Sequence, residues 1–202
     1  MISIKAIVFD LGNVLIPFDY NVMIKRLNNI SDNLGTQYYG RYKLNYHVHR
    51  QYEKGELSFE EFVSINLDWL ENKIDSEKFC YLYSDIFRLN EETISLLPIL
   101  KMNYKLFLLS NTNFIHQKYG YAKYDFLKLF DKLFLSHEVG AVKPEEQFYK
   151  AVENYSGFRP KEHLFIDDIR EYVVGAVNIG WNAVQFTTHK KLLEDLKTYK
   201  IL

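Results

Sequence analysis

Four short apolar runs punctuate the chain, at 4–9, 106–109, 133–135 and 164–166, with a fifth at 183–186, and each gives way to polar residues. Continuous rather than alternating apolarity predicts strands buried on both faces, as in a parallel sheet held between helices. Between the later runs the period becomes helical. The stretch 148–154 separates the third run from the fourth, 172–178 separates the fourth from the fifth, and Gly180 falls where a helix would end. Strands alternating with helices predict an α/β fold with a doubly wound, mainly parallel sheet.

The long stretch between the first and second runs carries no strand pattern. Helical spacing recurs there at 20–29, 37–52, 58–71 and 76–87. Ser58 and Glu61 have the spacing of a capping box, in which each side chain satisfies a backbone N–H at a helix start, and Gly55 just before them suits a turn. Asn90 is expected to cap the helix that returns to the sheet, with Pro98 kinking that helix or marking its last turn. Residues 17–88 are therefore expected to form a small all-helical cap inserted after the first strand, with 1–16 and 89–202 forming the sheet-bearing core.

A length of 202 residues fits one domain with a modest insertion, and 48% hydrophobic residues can fill a sizeable core, which excludes a disordered chain. Lys plus Arg number 25 against 26 for Asp plus Glu. That balance argues against a nucleic-acid partner, which calls for a clustered cationic surplus. The lone Cys80 forms neither an internal disulfide nor a cysteine zinc set and reads as a packed thiol on a helix. No run approaches the ~20 apolar residues of a membrane span, and the first ten residues lack a signal-peptide pattern. A cytoplasmic protein without a membrane partner is expected.

In an open parallel sheet the functional crevice lies outside the carboxyl ends of the strands. The polar residues just past each apolar run are therefore the ones to inspect. Asp10 comes after the first run, Ser110-Asn111-Thr112-Asn113 after the second, Lys143-Pro144 after the third and a short loop, and Asp167-Asp168 after the fourth. Each element alone has an ordinary reading as a turn former, a helix cap or solvated surface. Together, three carboxylates against one lysine leave about −2 of uncompensated charge, which keeps one carboxyl protonated unless a cation binds. A hard divalent ion with oxygen ligands, Mg²⁺, resolves that conflict. The site then accepts a dianion, with Ser110, Asn111, nearby backbone N–H groups and Lys143 as donors to phosphate oxygens.

With these residues in this order, the sequence resembles the haloacid dehalogenase-like hydrolase superfamily, and within it the phosphatases with a helical cap. Its four motifs match Asp10, Ser110, Lys143 and Asp167-Asp168. The Asp-Leu-Gly-Asn-Val start at 10–14, Leu-Ser-Asn-Thr-Asn at 109–113 and Lys-Gly-Glu-Leu-Ser at 54–58 resemble the sugar-phosphate phosphatase branch that contains a bacterial α-D-glucose-1-phosphate phosphatase. The resemblance implies a Mg²⁺-dependent phosphomonoesterase of a small phosphorylated metabolite, a sugar phosphate among the candidates. It implies Asp10 as the nucleophile that becomes an aspartyl-phosphate. Asp10, Asp168 and the backbone carbonyl of Gly12 would ligate the metal, Asp167 would orient Lys143, and Ser110, Asn111 and Lys143 would hold the phosphoryl oxygens.

One departure stands out: most phosphatases of this superfamily carry a general acid/base aspartate where this chain has Gly12. Either another carboxylate reaches in, with Asp19 the first candidate, or the leaving group needs little protonation, as with an anomeric hydroxyl. In the cap, Tyr38, Tyr39, Tyr42, Tyr46, His47, His49, Arg50 and Tyr52 crowd one stretch, with 38, 42, 46 and 49 on one helical face. These rings either pack the cap against itself or form a wall for a sugar, with Tyr46 and Arg50 as candidate contacts. The rival functions are a 2-haloacid dehalogenase-type hydrolase, whose chemistry leaves the Asp167-Asp168 pair unexplained, and a weakly active phospho-ligand-binding protein.

Overall fold

The structure, a computed structural model, describes residues 3–202; Met1 and Ile2 of the expected core segment lie outside the described residues. Among the described residues, the strands β1 (Ala6–Phe9), β2 (Lys105–Ser110), β3 (Lys132–Leu135), β4 (His163–Asp167) and β5 (Asn182–Gln185) form one sheet in the order β3-β2-β1-β4-β5. Every pairing is parallel, which gives the doubly wound α/β architecture expected. The sheet grows from β1 to β3 on one side and resumes with β4 on the other. The switch point therefore lies at β1 and β4, where such sheets open a crevice at their carboxyl ends.

Between β1 and β2 run the helices α1 (Tyr20–Asn28), α2 (Leu34–Leu44), α3 (Tyr46–Glu53), α4 (Phe59–Trp69) and α5 (Ser76–Ser84), followed by the short α6 (Glu91–Ile94) and α7 (Leu97–Lys101). Further on come α8 (Ser136–Val139), α9 (Glu146–Ser156), α10 (Arg170–Asn178) and α11 (His189–Thr198). The continuous apolar runs are explained by burial on both sides. Ile7 and Phe9 of β1 pack with Leu97, Leu100, Leu192 and Leu196 on one face. Ala6 and Val8 pack with Phe148, Val152 and Ala176 on the other. The helices of 20–84 enclose an apolar cluster of their own, with Met23, Tyr38, Phe62, Phe79 and Tyr83 at its centre. Two antiparallel crossings join this bundle to the sheet, through Asp19 N–H to the Ile86 carbonyl at 3.0 Å and Arg88 N–H to the Pro17 carbonyl at 2.8 Å.

Several sequence expectations change in detail. The helix expected over 37–52 breaks at Asn45 (φ −114°, ψ 34°), whose side-chain amide donates to the Arg41 carbonyl at 2.9 Å. An asparagine side chain competes with the helical backbone in this way, and the break starts α3 in a new direction. Asn90 caps as expected, accepting from Thr93 N–H, but two short helices follow. Pro98 sits in the first turn of α7, where its missing N–H costs nothing. The first strand starts at Ala6 rather than at 4, and the fifth spans 182–185 rather than 183–186. The Ser58–Glu61 capping box forms, Gly55 turns with φ 74°, and Cys80 is buried on α5. Among the described residues no helix is long and apolar enough to cross a membrane.

Candidate active site

The carboxyl ends of the central strands place the charged residues together. Asp10 follows β1 directly, and its N–H is fixed by the Ile166 carbonyl of β4 at 2.8 Å. Lys143, only 1% exposed, reaches Asp10 Oδ1 at 2.5 Å and Asp167 Oδ2 at 2.6 Å with its Nζ. The other oxygen of Asp167 accepts from Ile169 N–H at 2.8 Å, so this carboxylate holds Lys143 with one oxygen and the turn after β4 with the other. Asn111 grips the Lys143 backbone from both sides, accepting from its N–H at 2.8 Å and donating to its carbonyl at 3.2 Å. Asn13, in the left-handed region at φ 53°, donates to Asp168 Oδ2 at 3.1 Å.

Electrostatics here is dominated by crowding. Burial pushes the Asp10 carboxyl up to about 7; Lys143 opposes that, while Asp167 and Asp168 add to it. Burial also raises Asp168. Burial disfavours the Lys143 ammonium, but Asp10 and Asp167 outweigh it and hold the lysine well above its ordinary value. Asp10, Asp167 and Asp168 can each bring an oxygen within 4.8 Å of the others. With Asp167 bonded on both oxygens, Asp10 and Asp168 are the freer pair. A carboxyl left half-protonated at neutral pH by burial, with like charges adding to it, is what a small hard cation relieves, and the donors present are all oxygens. The residues fit a magnesium ion.

Above this edge lies a cavity of about 310 Å³, walled below by Asp10, Gly12, Ser110, Asn111, Lys143 and Asp168 and above by the cap. The cap wall is built by α2 and α3. Tyr42 lies against Tyr46 and His49, and Tyr46 stacks on His49 at 5.2 Å. Glu53 sits beneath, 3.2 Å from His49 Nε2 and accepting from Arg50 Nη1 at 2.9 Å. Burial works against its charge, yet His49 and Arg50 prevail and hold it below the usual carboxylate range. Arg50 also donates from Nη2 to the Lys143 carbonyl at 3.3 Å, so cap and core meet beside the lysine.

The family model for the haloacid dehalogenase-like hydrolases matches residues 4–180. The chain belongs to this family. It is 28% identical over 197 residues to the D-ribitol-5-phosphate phosphatase of Bacteroides thetaiotaomicron, covering 90% of this chain and 91% of that protein. A crystal structure of a HAD family enzyme from the same organism matches with TM-score 0.81 at 28% identity, over 92% of this chain and 94% of that one. The wild-type form of that enzyme, crystallised with magnesium and inorganic phosphate, matches with TM-score 0.79 at 27% identity, over 92% and 95%.

Within this haloacid dehalogenase-like hydrolase, Asp10, Gly12, Ser110, Asn111, Lys143, Asp168, Tyr46 and Arg50 all line the one cavity, with Asp167 directly behind Lys143. Asp19 is the exception. Its carboxylate caps α1, accepting from Asn21 N–H at 2.9 Å and from the Asn21 side chain at 2.8 Å, and it does not line the cavity. As a stand-in for the acid/base residue, Asp19 is corrected to a helix N-cap. The Gly12 carbonyl, named as a metal ligand, accepts from Val14 N–H at 2.7 Å, which leaves it one lone pair. His49 is buried and bonds Tyr83 Oη at 2.8 Å through Nδ1. Sequence reasoning missed Glu53, Asn13, His116 and Tyr172. Glu53 lies three and four residues from Arg50 and His49, the spacing at which helical side chains pair, and was findable by that rule.

Proposed function

We propose that this hydrolase is a magnesium-dependent phosphomonoesterase of a small phosphorylated metabolite, working through an aspartyl-phosphate on Asp10. The observation that carries the reading is Lys143 Nζ wedged between Asp10 and Asp167, with Asp168 completing the acidic cluster at the floor of a roofed cavity. Asp10, Asp168 and the Gly12 carbonyl would hold the ion, which when bound offsets the charge of the carboxylates and of the incoming phosphate. Asp10 supplies the attacking oxygen. Lys143 positions it and stabilises charge on the phosphoryl oxygens, and Asp167 keeps the lysine aimed. Ser110 and Asn111 line the same floor and bind the phosphoryl group.

The cavity suits a sugar- or polyol-sized group, with rings to cover it and the charged pair of Glu53 and Arg50 to meet hydroxyls. Similarity to a D-ribitol-5-phosphate phosphatase supports a polyol or sugar phosphate. The test is phosphate release from p-nitrophenyl phosphate and a panel of polyol and sugar phosphates, with Mg²⁺ and with chelator. Turnover should require the metal and fall by roughly four orders of magnitude or more in Asp10→Asn, the scale on which losing a nucleophile acts. Metal-independent turnover, or an active Asp10→Asn, would overturn the reading.

A further inference from the structure

An ester of an ordinary alcohol leaves poorly as an alkoxide, so a proton donor is needed at the leaving oxygen. The structure narrows the choice. A Cβ on Gly12 would come within 3.2 Å of Phe18 Cε1, so the Phe18 ring crowds the space a side chain there would enter. Asp19 is committed to capping α1. His49 has both ring nitrogens engaged, by Tyr83 and Glu53. Glu53 is held ionised between His49 and Arg50. Burial drives the His116 imidazole down to about 3, so it carries no extra proton to give at neutral pH. Lys143 is clamped by two carboxylates.

Tyr172 differs from all of these. Its hydroxyl accepts from Asn111 Nδ2 at 3.3 Å, and its own proton has no acceptor among the described residues. Its backbone carbonyl is pinned by Tyr149 Oη at 2.9 Å, and its ring lies 5.1 Å from Lys143 Nζ. The Asn111 amide that reaches Tyr172 also donates to the Lys143 carbonyl, the same atom that Arg50 of the cap reaches. Tyr172 thus lines the cavity beside Asn111 and Lys143, where the floor meets Arg50 of the cap. Burial raises its pKa while Arg50 and Lys143 pull the other way, so the group is protonated at neutral pH with cations beside it.

We propose that the Tyr172 hydroxyl is the catalytic proton donor to the leaving-group oxygen, a role Gly12 cannot fill; this rests on the phosphomonoesterase reading. An Asp10 oxygen bonds to phosphorus and the P–O ester bond breaks, its electron pair going to the leaving oxygen, which takes the Tyr172 proton. The tyrosinate, beside Lys143 and Arg50, then takes a proton from the water that attacks the phosphorus of the aspartyl-phosphate. The bond to Asp10 breaks, inorganic phosphate leaves, and both side chains are restored.

The test compares kcat/KM of the Mg²⁺-loaded enzyme and of Tyr172→Phe, which keeps the ring, on a polyol phosphate and on p-nitrophenyl phosphate. This ratio reads the steps up to ester cleavage, and p-nitrophenolate departs without a proton. The polyol phosphate should lose about 10²-fold or more while p-nitrophenyl phosphate changes by less than about threefold. Across a series of aryl and alkyl phosphates, the dependence on leaving-group basicity should steepen in the variant. Equal losses on both substrates would mean that the hydroxyl only holds Asn111, and no loss on either would mean it is idle; both overturn the proposal while the phosphatase reading stands. A wild-type enzyme that frees no phosphate from any ester brings down the reading and this proposal together.

Discussion

The two walls of the cavity are built on different principles. At the carboxyl ends of the central strands, three acids meet a lysine from the loop after α8 in short polar contacts: Lys143 to Asp10, Lys143 to Asp167, Asn13 to Asp168. Across the gap the cap presents mainly rings, with Tyr39 and Tyr42 stacked at 6.1 Å, Tyr46 on His49, and one buried carboxylate, Glu53, tied to its own helix. Charge in the floor is in excess and calls for a ligand; charge in the roof is already paired. On the proposed reading, the floor stabilises the reaction and the roof chooses and encloses what reacts.

The sharpest way to break the floor is Lys143→Met. It leaves Asp10 and Asp167 facing each other without their cation, and breaking a buried pair by removing one partner costs about 3–5 kcal/mol. Denaturant titration of the metal-free protein should show that loss growing above pH 7, where Asp10 of the unmodified protein is ionised and held by the lysine. A loss below about 1 kcal/mol would mean that the lysine is dispensable to the floor.

Two buried groups that line the cavity, Asp10 and His116, titrate in opposite senses. Asp10 stands near 7 in the folded chain against 3.8 in the open chain, so the folded state binds more protons between those values. Its contribution to stability is present below about pH 4 and is lost as pH rises through 7. His116, stacked on Tyr83 of the cap at 4.4 Å, stands near 3 against 6.5. The unfolded state binds the proton in that window, so this contribution is full above pH 6.5 and lost as pH falls towards 3. The two slopes oppose each other between pH 4 and 6.5. Magnesium removes the first by binding the ionised acids. The melting-temperature gap between Mg²⁺-loaded and chelated protein should therefore widen by several degrees from pH 5 to pH 8. A gap independent of pH would place magnesium elsewhere.

How far each wall is legible in the sequence depends on how it is made. A strand end is a fixed address: once β1, β2 and β4 pair in parallel, Asp10, Ser110 and Asp167 must adjoin, and short apolar runs suffice to find them. The roof depends on where a helix bends. Nothing in the spacing of 37–52 gives away the break at Asn45, so the ring-bearing face is legible as composition while its direction is not. Asp19 misleads for a related reason. An acid just before a helix start can cap or catalyse, and only the Asn21 N–H at 2.9 Å decides for capping. Tyr172 stays hidden because α10 turns it back over Lys143, a contact between segments far apart in sequence.

The smallest expected effect probes the roof. Glu53→Gln keeps the shape but removes the charge that holds Arg50 at 2.9 Å, and a hydrogen bond to a charged partner contributes about 1.5–3 kcal/mol. Stability should fall by that order or somewhat less, because Arg50 is partly solvated and keeps its bond to the Lys143 carbonyl. With its partner gone, Arg50 becomes a mobile cation in the cavity wall, and a neutral polyol no longer meets an ordered charged pair. KM for a polyol phosphate should rise about three- to tenfold with kcat within about twofold, the signature of binding shared by ground and transition states, and p-nitrophenyl phosphate should be hardly affected. A collapse of kcat on both substrates would instead place Glu53 in the chemistry, and the division between a reacting floor and a selecting roof would no longer hold.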